Sequence, residues 1–318
     1  MNMRRRVGTA LLAILASAAV VSRVGAGPSA WQPSPGHTQV PLWPGAVPDA
    51  QPVEAEESGT VVDSAGSKRL VAGRPWVYVG KVSRPTLTVY PPVGRNTGAA
   101  VVVFPGGGYN VLAIDLEGTE ICDWLTSRGI TGVLLKYRVP CVKSGPYRDC
   151  RTALEDAQRA MGLVRLHAGE WHIDPHKIGV LGMSAGGHMV AAISTHFDER
   201  LYPIVDAADS ESCRPDFALA LYPGHLAVTE TDFALNPDIQ VTGRTPPTFL
   251  LQAENDPTDP VENSLVYYAA LRKTGVPAEM HVFVTGGHAF GLRPTESPIT
   301  RWPQLAETWL RAIGIITR

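Results

Sequence analysis

Apolar positions in this chain fall into two kinds of run, and the two kinds alternate. Short continuous stretches at residues 99–104, 131–136, 178–181, 217–221 and 248–253 are dominated by aliphatic side chains, which predicts strands buried on both faces. Between and after them lie segments with apolar residues at helical spacing, at 118–128, 150–168, 185–195, 262–273 and 302–313. In the second of these Leu154, Ala157, Met161, Val164 and Ala168 mark one face of a long helix. Two earlier strands are predicted at 77–82 and 87–90, and a last one at 281–284. Strands alternating with helices require right-handed crossovers. The expectation is an α/β fold, a mostly parallel central sheet with helices on both faces, forming one domain over residues 76–318. Such sheets bind ligands at the carboxyl ends of their strands.

The first 75 residues do not follow this pattern. Arg4, Arg5 and Arg6 precede an apolar stretch at 7–21 and the small residues Val24-Gly25-Ala26, the order of a secretory signal. Residues 1–26 are therefore expected to be a signal peptide, and the mature protein periplasmic or secreted. A buried or membrane-anchoring helix is the competing reading, and fifteen apolar residues are short for a span. Residues 27–75 carry Pro33, Pro35, Pro41, Pro44, Pro48 and Pro52, so an irregular lead-in is expected there. No later stretch is long enough to cross a bilayer, and no stable membrane association is expected after cleavage.

Composition narrows the function classes. The formal net charge is -2 and no basic cluster follows the signal, which argues against nucleic acid as a partner. Of the four cysteines, Cys141 and Cys150 bracket a loop whose closure would stabilise the fold by about 3 kcal/mol in an oxidising compartment, and four free thiols are the alternative. No Cys or His spacing resembles a zinc site, and no cofactor or metal is expected.

Candidate chemistry sits where strand gives way to helix. Gly182-Met183-Ser184-Ala185-Gly186 joins the strand at 178–181 to the helix that follows, a Gly-x-Ser-x-Gly turn of the kind that pushes a serine hydroxyl out above a sheet. A serine becomes a nucleophile only when a base takes its proton, and the base needs a carboxylate to hold its tautomer. Of the nine histidines, His288 follows the last strand in a glycine-rich loop, whereas His281 lies within that strand and His167, His172 and His176 precede the serine strand. The acid should come from the preceding strand end, where Glu254, Asp256 and Asp259 crowd together; Asp256 is the first choice, Asp259 the second and Glu254 the third. An oxyanion hole needs two backbone amides. Ala185 supplies one, and Gly107 and Gly108, in the run Phe104-Pro105-Gly106-Gly107-Gly108-Tyr109, are the candidates for the other, against a plain tight turn.

These segments resemble the α/β-hydrolase superfamily, and within it the exported bacterial serine esterases grouped with acetylxylan esterases and feruloyl-esterase-like domains. The resemblance is carried by "FPGGGY", "LEGTEICDWLTSRGI", "LLKYRVP", "LEDAQRAMGLVR", "IDPHKIGVLGMSAGGH", "LQAENDPTDPVENS" and "GGHAFGL", over residues 101–309. It implies the α/β-hydrolase fold, a Ser184, Asp256, His288 triad, and hydrolysis of acetyl or other short acyl esters on plant cell-wall carbohydrate, with a small-molecule or polysaccharide ester as substrate. Two departures stand out. Related oxyanion loops often read His-Gly-Gly-Gly, and Pro105 replaces that histidine, so a polar support for the loop is expected to be lost. Asp259 occupies a position where an apolar residue is usual. His188, after the turn, is read as structural. Tyr109, Tyr222 and Trp171 are expected to serve as core or wall packing, with stacking on a sugar or phenolic ring as the alternative, and the loop at 223–245 is expected to wall the pocket. A peptidase of the prolyl-oligopeptidase type and a non-catalytic carbohydrate-binding protein on the same scaffold are the competing functions.

Overall fold

The strands come in chain order as β1 (Gln39–Pro41), β2 (Ser58–Val62), β3 (Trp76–Gly80), β4 (Thr86–Tyr90), β5 (Ala100–Phe104), β6 (Val111–Leu112), β7 (Thr131–Lys136), β8 (Ile178–Met183), β9 (Ala218–Leu221), β10 (Ala227–Val228), β11 (Ala234–Leu235), β12 (Thr248–Ala253) and β13 (Ala278–Phe283). The helices are α1 (Glu120–Ser127), α2 (Arg151–Leu166), α3 (Ala185–Ile193), α4 (Glu262–Lys273) and α5 (Trp302–Ala312). They are taken from a computed structural model that describes residues 30–37, 39–50, 56–63, 70–141, 150–228 and 232–317. The expected signal peptide lies outside the described residues. Among the described residues no helix is long and apolar enough to cross a membrane.

Eight strands form the main sheet in the order β1-β4-β7-β5-β8-β9-β12-β13. From β7 to β13 every neighbouring pair is parallel, and only β4 and β1 run antiparallel to their neighbours. Every residue of β5, β7, β8, β9 and β12 is buried, as their largely apolar runs require of strands covered on both sides. Side chains alternate along β12 and report the two faces directly. Phe249 meets Trp309 of α5 at 5.7 Å between ring centroids, whereas Gln252, on the other face, accepts a hydrogen bond of 2.9 Å from Ser264 of α4. Helices therefore cover both faces. On the α5 side α1 joins it, through a Trp124–Trp302 edge contact at 5.2 Å and an Arg128–Glu307 ion pair at 3.0 Å.

The lead-in expected at 27–75 corrects the sequence reading, because it is not irregular throughout. β1 closes one edge of the main sheet, and β2 pairs with β3 in a separate antiparallel sheet completed by β6. Prolines do not forbid this: Pro41 ends β1 at the sheet's edge, where a missing amide costs least. Just beyond, Leu42 and Trp43 are buried, and the chain is tied down by polar groups of α2. Trp43 Nε1 donates to Asp156 at 2.9 Å, and Arg159 Nε to the Leu42 carbonyl at 3.1 Å. Asp156 also pairs with Arg138 at 2.9 Å, so a buried acid is matched by a buried base. The strand predicted at 281–284 begins earlier, at Ala278, and leaves Val284 exposed. As an edge strand it is only half-buried and lacks a clean apolar run. Cys122, Cys141, Cys150 and Cys213 are not joined by disulfides, and the loop between the middle two lies outside the described residues.

Candidate active site

Five parallel strands deliver the site at their carboxyl ends: β5 leads to Gly106, β8 to Ser184, β9 to Tyr222, β12 to Asp256 and β13 to His288. Ser184 stands between β8 and α3 with φ 55° and ψ -121°, a conformation non-glycine residues rarely adopt. Its neighbours make the turn possible. A Cβ on Gly182 would stand 2.1 Å from the Gly186 carbonyl oxygen, and one on Gly186 would stand 2.0 Å from that of Phe104. Any side chain there would pry the turn away from β5. Bonds of 3.1 Å from the Ser184 amide to Leu221, and from the His188 amide to the Ser184 carbonyl, hold the strained residue in place.

The loop after β13 brings His288 to this serine. His288 Nε2 lies 2.9 Å from Ser184 Oγ, and Nδ1 lies 2.7 Å from Asp256 Oδ2. With an ionised carboxylate on Nδ1, that nitrogen carries the proton and donates it, leaving Nε2 to accept from the serine hydroxyl. Asp256 is itself fixed: its Oδ1 accepts from the amides of Thr258 and Asp259 at 2.9 and 3.0 Å, and its Oδ2 from Gln252 at 3.2 Å. The other two acids are not so placed. Asp259 approaches the opposite face of the relay, with Oδ2 at 3.6 Å from His288 Nε2 and 3.4 Å from Ser184 Oγ. Glu254 is exposed to solvent and joins neither group.

Electrostatics follow from burial and from these contacts. Burial alone would lower the pKa of His288, but the hydrogen bond and charge of Asp256, helped by the charges of Asp259 and Glu117, outweigh it and hold the imidazole above its ordinary value. Asp259 is pushed up to about 6, by burial first and by the nearby Asp256 charge. His188 is driven well below the ordinary histidine value by burial and sits with Nδ1 at 2.9 Å from the Tyr109 hydroxyl.

The glycine loop abuts the nucleophile: a Cβ on Gly106 would lie 3.0 Å from Ser184 Cβ. Gly107 and Gly108 both have positive φ, at 132° and 61°, and a Cβ on Gly107 would strike the Val111 carbonyl oxygen at 2.2 Å. Among the described residues nothing accepts a backbone hydrogen bond from the amides of Gly107, Gly108 or Ala185. Ala185 opens α3, so its amide belongs to the positive end of a helix.

The support expected to be missing with Pro105 is present in another form, which corrects that expectation. Glu117 is buried and accepts from the Gly106 amide at 2.8 Å and from the Tyr222 hydroxyl at 3.0 Å. The Tyr222 oxygen in turn accepts from the Gly291 amide at 3.4 Å, and its ring lies edge-on to His288 at 5.0 Å. One carboxylate thus connects the glycine loop, the end of β9 and the histidine loop. Burial raises its pKa, against the opposing pull of His288 and the two hydrogen bonds. Tyr137 adds a 2.6 Å bond to the Pro105 carbonyl. Glu117 lies in the quoted segment "LEGTEICDWLTSRGI" but resembles any acid before a helix, and only the fold brings it under Gly106. Glu117→Ala leaves two buried donors without an acceptor, each costing about 1–3 kcal/mol. Urea unfolding should show a stability loss of that order, partly recovered by Glu117→Gln.

Asn255 was likewise not legible. Its Oδ1 accepts from the amides of Gly286 and Gly287, both at 3.0 Å, and pins the loop that carries His288. The aromatic candidates pack within the fold. Tyr109 and Tyr222 are fully buried, and Trp171 stacks on His167 before β8, at the end of the sheet away from Ser184. One helical turn past Ser184, a cavity of about 320 Å³ is lined by Tyr109, His188, Met189 and Ala192, with Asp238 and Ile239 from the loop at 223–245.

Comparison with known proteins places these features in context. Residues 101–292 match a family described by its α/β hydrolase fold. An acetylxylan esterase of Xylanibacter ruminicola is 29% identical over 68% of this chain and 46% of its own length. An endo-1,4-β-xylanase B of Butyrivibrio fibrisolvens is 32% identical over 59% of this chain and 32% of its own. The chain thus spans less than half the length of either relative. A solved acetyl ester-xyloside bifunctional hydrolase from Caldicellulosiruptor lactoaceticus superposes with a TM-score of 0.68 at 33% identity, covering 88% of this chain and 97% of that one.

Proposed function

Because the chain belongs to the α/β hydrolase family, we propose that it is a serine carboxylic ester hydrolase that removes acetyl or other short acyl groups from cell-wall carbohydrate esters. The observation that carries the chemistry is the continuous hydrogen-bonded line from Ser184 Oγ through His288 to Asp256, at 2.9 and 2.7 Å. His288 takes the serine proton as Oγ attacks the ester carbonyl. Asp256 stabilises the imidazolium that forms. The amides of Ala185 and of Gly107 or Gly108 receive the charged oxygen, each donor contributing roughly 3 to 4 kcal/mol in comparable sites. His288 then protonates the departing alcohol and activates water to release the acyl group from Ser184.

The substrate class is supported by the names of the similar proteins, an acetylxylan esterase, a xylanase and an acetyl ester-xyloside hydrolase. Acetate release from acetylated xylan, measured beside p-nitrophenyl esters of increasing chain length, tests both halves. Release from xylan with preference for the shortest acyl groups is expected; cleavage of peptide anilides without ester cleavage would refute the proposal.

The raised pKa of His288 predicts the pH profile. Protonated imidazole cannot accept the serine proton, so activity falls as pH drops through the His288 value. The acid limb of kcat/KM, which reports the free enzyme, should have its midpoint above 6.5. A midpoint clearly below that value would contradict the upward shift that Asp256 imposes on the imidazole.

A further inference from the structure

Asp259 is an ionisable side chain at the reacting centre for which the relay has no task. Asp256 already satisfies Nδ1 of His288, and Asp259 faces Nε2 and Ser184 Oγ instead, at 3.6 and 3.4 Å. It is held there firmly. Its amide donates to Asp256 Oδ1 at 3.0 Å and its carbonyl accepts from Gln252 at 2.8 Å. Gly224 makes room for the carboxylate, because a Cβ at that position would stand 2.5 Å from Asp259 Oδ1.

A buried carboxylate beside a forming oxyanion opposes catalysis unless something donates to it. Before the reaction the serine hydroxyl is within reach, but an acylated Ser184 oxygen carries no proton. The Nε2 proton of His288, 3.6 Å away, is directed to the leaving oxygen, so the donor free to face Asp259 is one that comes with the substrate. Its position is set by the chemistry: the leaving oxygen has to reach Nε2 to be protonated, so the carboxylate beside Nε2 faces the alcohol half of the ester. A hydroxyl on the carbon next to the ester-bearing carbon would sit against it. A site built around such a bond discriminates strongly against alcohols that lack the hydroxyl, since the buried acceptor is then left unpaired.

We propose that Asp259 is a specificity-determining residue that accepts a hydrogen bond from the hydroxyl vicinal to the ester, selecting esters of polyhydroxylated alcohols such as sugars over esters of simple alkanols. The inference rests on the serine-esterase reading and deepens it, by naming the group that recognises the alcohol.

Two acetates of nearly equal shape isolate the hydroxyl: trans-2-hydroxycyclohexyl acetate and cyclohexyl acetate. With the wild-type protein, kcat/KM should favour the hydroxy ester by roughly 10- to 100-fold, the range expected of a hydrogen bond to a charged group. In Asp259→Val that ratio should collapse towards one, and in Asp259→Asn it should fall in part. The wild-type comparison needs no variant, so a poorly folding substitution does not remove the test. Equal rates for the two wild-type reactions, or a preference that survives in both folded variants, would overturn the role of Asp259. Faster cleavage of the 2-aminocyclohexyl ester would also overturn it, in favour of an ammonium group. If neither acetate, p-nitrophenyl acetate nor acetylated xylan is cleaved, or cleavage persists in Ser184→Ala, the esterase reading itself fails.

Discussion

Ser184→Ala is expected to lower kcat for acetate esters by roughly 10⁵- to 10⁶-fold, because the nucleophile and its base work as a unit and neither retains its effect without the other. A residual rate above that of water should persist, since the amides of Ala185, Gly107 and Gly108 still surround the bound carbonyl. The fold should hardly notice the change. Alanine has the same Cβ, and the 55° φ of this residue is imposed by the surrounding turn, so stability should move by no more than about 1 kcal/mol. Turnover of p-nitrophenyl acetate and labelling by a fluorophosphonate probe provide the readouts. Unchanged turnover in the variant, or no labelling of the parent protein, would remove Ser184 from the mechanism.

The second large effect is expected at Asp256, where asparagine should cost about 10⁴-fold in kcat. The reason is a proton in the wrong place. Oδ1 of this residue is committed to the amides of Thr258 and Asp259, so an asparagine would keep its carbonyl there and turn its NH₂ group towards His288 Nδ1. Nδ1 would then accept rather than donate, and the ring proton would move to Nε2, facing Ser184. The serine would lose its base while every heavy atom stayed near its position. Steady-state kinetics of Asp256→Asn and Asp259→Asn side by side decide which acid orients the ring. A larger loss of kcat on p-nitrophenyl acetate at Asp259 would transfer the orienting role to it.

How much of this was legible depended on how local the cause was. Strands β5, β7, β8, β9 and β12 were readable because a strand covered on both faces must be apolar almost throughout, and their interiors are. β1 and β2 were not: a short edge strand with a proline and a half-buried strand in a small second sheet present no such run. The strand at 77–82 was visible, but its membership of the second sheet rather than the main one depends on partners, β2 and β6, that are distant in sequence. Helix α1 begins at Glu120, two residues later than its apolar pattern suggested, after a wider turn over Asp115–Thr119 that carries Glu117 inward.

The same division runs through the site. Ser184 and His288 were recognisable because a glycine-flanked serine after a buried strand and a glycine-flanked histidine after the last one are local signatures. Three acids within six residues were not separable by pattern, and the structure distinguishes them by which imidazole nitrogen each approaches. Glu117 and Asn255 carried no signature of their roles, and Tyr222 was visible only as an aromatic near the pocket.

What the sequence by itself determined are the things that neighbouring residues impose on one another: alternating buried strands and helices, a serine on a strained turn, and a glycine-rich loop before a histidine. What only the tertiary structure decided are the distances between stretches far apart in the chain. These include the 2.9 Å from Ser184 to His288, the choice of Asp256 for Nδ1, the carboxylate of Glu117 beneath Gly106, and the placing of Asp259 beside Nε2. Hydrogen bonds and buried charges act over a few ångströms of space, whatever the separation along the chain, so their partners are settled only when the parallel sheet aligns the ends of its strands.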